Sequence, residues 1–254
     1  LLKNTNLFFF LLAFSILLFQ IMFATFRWKF VLDNFNYQLS FKLILSYLWI
    51  GLFFNQALPS SIGGDAMRGY YLHRKGGSIK NATIGVLLDR LFGLIGLVLL
   101  VLILAPLIFI RFNDINLHWE LFLVITGMIC ALSFVIFFDY VQFDFLNSKI
   151  VRGFQSLALE SRKMLSLKSH GLILIFLSLL IHLLSIIAVM FLSNSLALEI
   201  ELLGILLIIP LVTLFTLAPI SVAGWGVREG VMVLGLGFLG VPPEHALALS
   251  ILYG

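Results

Sequence analysis

Apolar runs of about 20 residues recur along this chain and constrain its fold more than any other feature. Residues 7–26, 91–110 and 171–192 are examples. A helix of this length crosses the roughly 30 Å hydrocarbon core of a bilayer. Only 11% of the 254 residues are charged, whereas a soluble globular domain has about 25%. The sequence therefore predicts an all-α protein, a polytopic integral membrane bundle.

One transmembrane domain is predicted over residues 1–254. Residues 231–239 are too short to span and indicate a half-helix or re-entrant segment. Residues 139–170 have apolar positions near helical spacing, which predicts an amphipathic surface helix. Because the chain starts at Leu1 and stops at Gly254 inside an apolar run, the native protein is expected to be longer. The predicted spans are 7–26, 41–58, 91–110, 121–138, 171–192, 202–218 and a truncated 244–254.

Lysines and arginines are distributed unevenly between the connections. With the N-terminus inside, twelve of the sixteen fall in segments predicted to be cytoplasmic and four in external ones. Arg27, Lys29 and Lys42 are counted as external, and the segment from Arg68 to Arg90 as cytoplasmic. Since basic residues favour the cytoplasmic side, the count predicts a multi-pass protein of the cell (plasma or inner) membrane with a cytoplasmic N-terminus.

A polar motif occurs twice, each time directly after an apolar run. From Pro59 the chain reads PSSIGGDAMR, and from Pro219 it reads PISVAGWGVR. Gly/Pro-interrupted segments at corresponding places in two halves point to a binding site, because broken backbone at membrane depth must be buried in protein or line a wet cavity. The alternative is two ordinary turns with an arginine at the lipid headgroups. The predicted substrate-binding residues of the motifs are Ser61, Gly64, Asp65, Arg68, Ser221, Gly224, Gly226, Arg228 and Glu229.

Two pairs of charged residues follow the start of the first motif. Asp65 is predicted to cap a helix, and Arg68 is the better phosphate ligand because its planar fork matches phosphate oxygens. A pairing of Asp65 with Arg68 is an equal alternative. Asp89 and Arg90 precede the span 91–110, where an acid is costly unless paired or wet. We predict an ion pair in a polar cavity there, with headgroup anchoring by Arg90 as the alternative.

No residue pattern typical of an enzyme is found. Ser60, Ser61 and Ser221 have no histidine at a fixed nearby spacing. Cys130 is the only cysteine, and the histidines are scattered without metal-ligand spacing. We expect no catalytic residues, no metal and no cofactor. A basic surplus in a membrane protein is explained by the anionic membrane surface, so no nucleic acid partner is expected.

Three segments in order, LPSSIGGDAMR, LLDRLFGL and APISVAGWGVRE, resemble the transmembrane region of lysylphosphatidylglycerol synthases, a flippase-like family with stand-alone members. The resemblance implies a helical membrane domain with re-entrant helices and a cavity for lipid headgroups. In full-length synthases this region translocates aminoacylated phosphatidylglycerol, and the aminoacyl-transferring domain does not fit in these 254 residues. The positions that match the family motifs are Asp65, Arg68, Asp89, Arg90, Arg228 and Glu229.

These observations predict a flippase-like protein that binds and translocates an anionic or lipid-linked substrate, such as an aminoacyl-phosphatidylglycerol or a polyprenyl- or glycan-linked lipid. Arg68, Arg90 and Arg228 would hold the phosphate in a cytoplasm-facing cavity where the two motifs meet. The alternative is a scaffold subunit for a glycosyltransferase or aminoacyltransferase that moves no lipid. The expected partners are membrane lipids and, in the alternative, a membrane enzyme; an oligomer is compatible with both.

Overall fold

The computed structural model describes residues 5–57, 62–111, 115–140, 148–217 and 224–254. These residues are mostly helical and include no strand. The predicted all-α fold of a membrane protein is confirmed. The helices are α1 (Leu7–Asp33), α2 (Phe41–Ala57), α3 (Ile62–Arg74), α4 (Ile79–Arg111), α5 (Ile115–Ile136), α6 (Lys149–Ser166), α7 (Lys168–Ser195), α8 (Leu202–Leu217), α9 (Val227–Gly237) and α10 (Pro243–Tyr253), with a 3₁₀ turn at Phe138–Tyr140.

Among the described residues, three helical segments are long and apolar enough to cross a membrane: Leu7–Asp33, Ile79–Leu107 and Ser169–Ser195. They belong to α1, α4 and α7. Each has at least 27 residues, so each is about 40 Å long and exceeds the hydrocarbon thickness. Two shorter apolar helices, Phe122–Ile136 and Leu202–Thr216, fall where further spans are predicted.

Helices α2 and α3 form an antiparallel hairpin. At its closed end the Gly64 N–H donates to Asn55 Oδ1 at 3.0 Å, and Gly64 packs so closely that a Cβ atom would overlap the Gly51 carbonyl oxygen. At its open end the turn after α1 meets the turn between α3 and α4, where Gly77 packs on the Tyr37 hydroxyl. Thus α2 begins where α3 ends. The span predicted over 41–58 corresponds to α2.

Helices α8 and α9 form a second hairpin. Gly204 at the start of α8 packs against Leu239 just after α9, and Gly235 packs against Ile208. The chain turns near Gly224, which contacts Thr216. The short element predicted at 231–239 is therefore the returning helix of a hairpin. The described part of each motif lies at the closed end of a hairpin, and residues 58–61 and 218–223 are outside the described residues.

The chain divides into two compact units. Unit 1 contains Leu1–Thr25, Leu45–Met67 and Leu180–Gly254, and unit 2 contains Phe26–Ile44 and Arg68–Leu179. In unit 2, α4 supplies the centre of the core with Leu88 and Phe92, both fully buried.

The predicted amphipathic helix is present in unit 2 as α6. The Ser148 hydroxyl caps it by accepting the N–H of Val151 at 3.2 Å. Its buried face includes Leu157 and Met164, which pack into the core of unit 2.

Candidate functional site

Unit 2 buries an ion cluster around one carboxylate, which we call the Asp89 cluster. Arg27 Nε donates to Asp89 Oδ1 at 2.9 Å, and Arg68 Nη1 donates to Oδ2 at 3.1 Å. Arg27 Nη1 also donates to Ser178 Oγ at 3.1 Å. The Arg68 guanidinium lies 4.5 Å from the centre of the Trp28 ring. The three charged side chains are at most 10% exposed, so both arginines bind one carboxylate away from solvent.

Four helices position the Asp89 cluster. Arg27 and Trp28 come from the last two turns of α1, Arg68 from α3, Asp89 from α4 and Ser178 from α7. Taking such charges out of water costs several kcal/mol per ion, which mutual attraction repays only with good geometry. Ionisable residues inside membrane helices are costly and mark functional sites by default. The cluster is therefore the first candidate site.

The local setting of these charges differs from the prediction in two respects. Asp89 lies well inside α4, which begins at Ile79, and not at the mouth of a helix. Asp65 lies in the first turn of α3, which begins at Ile62, so the predicted N-cap role of Asp65 is wrong. Arg90, next to Asp89, is half-buried.

Unit 1 holds a second ion pair at the start of α9, which we call the Glu229 cluster. Glu229 Oε1 accepts from Arg228 Nη2 at 2.8 Å and from Ser250 Oγ at 3.3 Å. Glu229 Oε2 accepts the N–H of Gly226, and Arg228 lies 5.0 Å from the Trp225 ring centre. Burial alone would raise the pKa of Glu229, but hydrogen bonds from backbone N–H groups and from Arg228 outweigh it and hold this pKa below its usual value.

Glycines allow the backbone of the second motif to turn into α9. Gly224 and Gly226 have φ values of +82° and +81°, a region that other residues adopt only with strain. Gly226 directly precedes the helix and exposes its N–H to the Glu229 carboxylate. Carboxylates are stabilised at this end of a helix by its dipole. Adjacent Arg228 and Glu229 thus form a pair that is ordered by the helix start.

A residue just before the first motif and the last residue of the second motif both contact Gly254 in unit 1. Gln56, three residues before Pro59, donates through Nε2 to the Gly254 carbonyl oxygen at 3.2 Å. The Arg228 guanidinium packs directly on Gly254, where a Cβ atom would overlap it. Both hairpins therefore reach the end of α10.

The predicted site residues are distributed over the two units. Arg68 and Asp89 belong to the Asp89 cluster of unit 2, and Arg228 and Glu229 to the Glu229 cluster of unit 1. Gly64, Gly224 and Gly226 shape the closed ends of the hairpins. Ser61 and Ser221 are outside the described residues. No group of three or more His, Cys, Asp or Glu side chains that could hold a metal ion is found in the described ranges.

Sequence reasoning missed Arg27, Trp28 and Ser178. Because the first span is predicted to end at residue 26, Arg27 falls in a segment predicted to be external. The available signal was the apolar sequence that continues after Arg27, since Trp28, Val31 and Leu32 are fully buried. A lone arginine within such an apolar run predicts a buried partner for its charge.

A family model described as the lysylphosphatidylglycerol synthase TM region matches residues 1–254. The chain belongs to this family. It is 24% identical over 272 residues to a UPF0104 membrane protein of Methanocaldococcus jannaschii, covering 98% of this chain and 80% of that protein. No solved structure matches. Membership of the lysylphosphatidylglycerol synthase TM region family confirms the resemblance in the three motifs and identifies a membrane protein.

Proposed function

We propose that this protein binds the phosphate of an anionic or lipid-linked membrane lipid at the Asp89 cluster and moves the headgroup across the bilayer. The observation that carries the proposal is the pair of buried arginines, Arg27 and Arg68, on a single carboxylate. Membership of the lysylphosphatidylglycerol synthase TM region family supports a lipid-related role. The protein would act as a carrier, without bond-making chemistry of its own.

The chemistry of guanidinium groups supports a phosphate ligand. Each arginine has five N–H donors in a planar fork that matches phosphate oxygens. Asp89 holds these forks in place and offsets their charge while the site is empty. A lipid phosphate would compete with Asp89 for the same donors. This competition keeps binding reversible, as a carrier requires.

The depth of the cluster supports translocation. Arg68 lies six residues before the end of α3, and Asp89 ten residues after the start of α4. At 1.5 Å per residue these positions are about 9 Å and 15 Å along the helices from the open end of the α2–α3 hairpin. A charged site at that depth is below the headgroup layer of a bilayer about 30 Å thick in its core. A lipid headgroup that crosses the bilayer would bind at this depth.

The positions of the turns support an orientation opposite to the one predicted from the sequence. The turn containing Tyr37 lies against Gly77, so Lys29 and Lys42 lie at the same end of unit 2 as Arg74 and Lys75. The sequence-based count puts these two groups on opposite sides of the membrane, whereas this arrangement favours one side for both. With the basic end in the cytoplasm, the α2–α3 hairpin is a re-entrant segment open to the cytoplasm. The N-terminus, at the far end of α1, is then external.

Cysteine labelling tests this topology. Gln38→Cys and Lys75→Cys, each in a Cys130→Ser background, replace exposed residues of the two adjoining turns. Both are expected to be protected from a membrane-impermeant maleimide added to intact cells. Glu199→Cys, beyond the far end of α7, is expected to react. Reaction of Gln38→Cys with protection of Lys75→Cys would restore the complete span over 41–58.

Transport itself is tested with proteoliposomes that contain fluorescent phosphatidylglycerol. The measurement is the rate at which inner-leaflet lipid becomes accessible to an impermeant quencher. We expect Arg68→Lys to slow this rate by about tenfold, because it keeps the charge but loses the fork, a loss comparable to one charge-assisted hydrogen bond. Arg74→Lys, at the exposed end of the same helix, is the matched control and is expected to transport normally.

Two outcomes would contradict the proposal. If the Arg68→Lys variant folds and transports lipid at the same rate as the Arg74→Lys variant, phosphate binding at the Asp89 cluster is excluded. A wild-type rate equal to that of protein-free liposomes, for phosphatidylglycerol and for a polyprenyl phosphate lipid, would favour the scaffold alternative.

A further inference from the structure

We infer a second lipid site, on the surface of unit 2, that holds one anionic phospholipid as a fixed structural partner. It is a groove of about 690 Å³ between the first turns of α4 and the first turns of α6. Its volume is in the range of ligand sites, roughly 300–1,000 Å³. The walls are apolar: Ile79, Ile84 and Leu87 on α4 face Ile150, Phe154 and Leu157 on α6.

The mouth of the groove carries three cations and no acid. Lys80 comes from α4, and Lys149 and Arg152 come from α6, one turn apart. All three are exposed, and within the described part of the chain none has a carboxylate partner. The other cations near the end of α6 differ, because Arg162 pairs with Asp139 and Lys163 with Glu160. On α6, the two cations at the groove thus differ from the two paired cations farther along the helix.

An apolar groove with a cationic mouth fits an anionic phospholipid. The acyl chain would lie along the α4–α6 walls, and the phosphate would meet Lys80, Lys149 and Arg152. The position fits as well, since α6 is an amphipathic helix of the kind that lies in the membrane interface. The groove is also at the end of α4 that follows the Gly77 turn, where lipid headgroups would be. An acidic peptide would match the cations but would leave the apolar walls uncovered.

Gly153 gives a way to close the groove without disturbing the fold. It lines the groove on α6, and a Cβ atom there would meet nothing within 4 Å. Gly153→Leu would place a side chain in the acyl-chain path while improving helix propensity. Gly153→Ala adds only a methyl group and is the matched control.

Native mass spectrometry of the full chain, titrated with phosphatidylglycerol or phosphatidylcholine, tests the site. Each cation near an anionic lipid contributes about fivefold in affinity, so Lys80→Gln, Lys149→Gln and Arg152→Gln together should weaken phosphatidylglycerol binding on the order of a hundredfold. The control with the same charge loss, Lys29→Gln, Lys75→Gln and Lys163→Gln, should bind as wild type does. Gly153→Leu should lose at least about tenfold, equal to two excluded methylenes, and Gly153→Ala should not.

Each result decides the inference independently of transport. Equal affinity for phosphatidylcholine would overturn the anionic specificity, and equal binding by Gly153→Leu and Gly153→Ala would overturn the groove. The transport assay with Arg68→Lys reports on the Asp89 cluster alone. The wild-type protein could move no lipid while the groove variants bind phosphatidylglycerol more weakly than wild type. That result would support the groove site and exclude only the proposed carrier function.

Discussion

Asp89→Asn is expected to lower the free energy of unfolding by about 3–5 kcal/mol, because it leaves Arg27 and Arg68 buried without their shared carboxylate. The measurement is a denaturant titration of the protein in detergent micelles, followed by helical circular dichroism. Asp33→Asn is the matched control. Asp33 pairs with Lys29 on the surface of the same protein, and such pairs contribute roughly 0–1 kcal/mol.

A triple variant separates the structural role of the cluster from its proposed role in binding. Arg27→Met, Arg68→Met and Asp89→Leu together remove all three charges and keep side-chain volume. Replacing a buried ion group by apolar residues is often neutral or stabilising, so stability should return to near wild type while lipid transport is lost. If the Asp89→Asn variant has the same free energy of unfolding as the Asp33→Asn variant, the burial of the two arginines does not depend on Asp89. Transport by the stable triple variant would contradict the proposed site.

Gly64→Ala is expected to destabilise the α2–α3 hairpin by about 1–3 kcal/mol or more, as overpacking does. The added Cβ atom would overlap the Gly51 carbonyl oxygen and the Asn55 side chain, and the backbone of α2 cannot rotate away as a flexible side chain can. The change in unfolding free energy is measured as for Asp89. The same change should remove the hydrogen bond from Gly64 to Asn55.

Gly69→Ala is the matched control in the same helix. A Cβ atom at Gly69 meets nothing within 4 Å, so the better helix propensity of alanine should stabilise α3 by about 0.8–1 kcal/mol. Opposite signs for the two variants would establish that α2 and α3 pack backbone to backbone at Gly64. Two equal effects would exclude this close approach.

Several features were predictable because they depend on neighbours along the chain. Apolar runs of spanning length predicted α1, α4 and α7, since a helix of that length crosses the bilayer and satisfies its own backbone hydrogen bonds. The amphipathic pattern of residues 139–170 likewise predicted the helix α6. The repeated motif marked both places where the chain turns back, because glycine permits the turns and the close packing seen at Gly64 and Gly224.

Other features depend on which helices meet, and local pattern does not encode that. Residues 41–57 are apolar enough to read as a complete span, but only the contact of Tyr37 with Gly77 shows that α2 and α3 return to the same end. The proposed orientation differs from the count of basic residues for the same reason, because one reversed helix exchanges the sides of the connections on either side of it.

Composition and motifs are properties of the chain, and they were sufficient to predict the helical membrane class, the family and most of the charged residues in the two clusters. The tertiary structure alone decided their partners. Asp89 stands next to Arg90 in sequence, yet Arg27 and Arg68 reach its carboxylate, from 62 and 21 residues away. The physical reason is that a buried charge must be compensated in space, and helices distant in sequence supply the compensation.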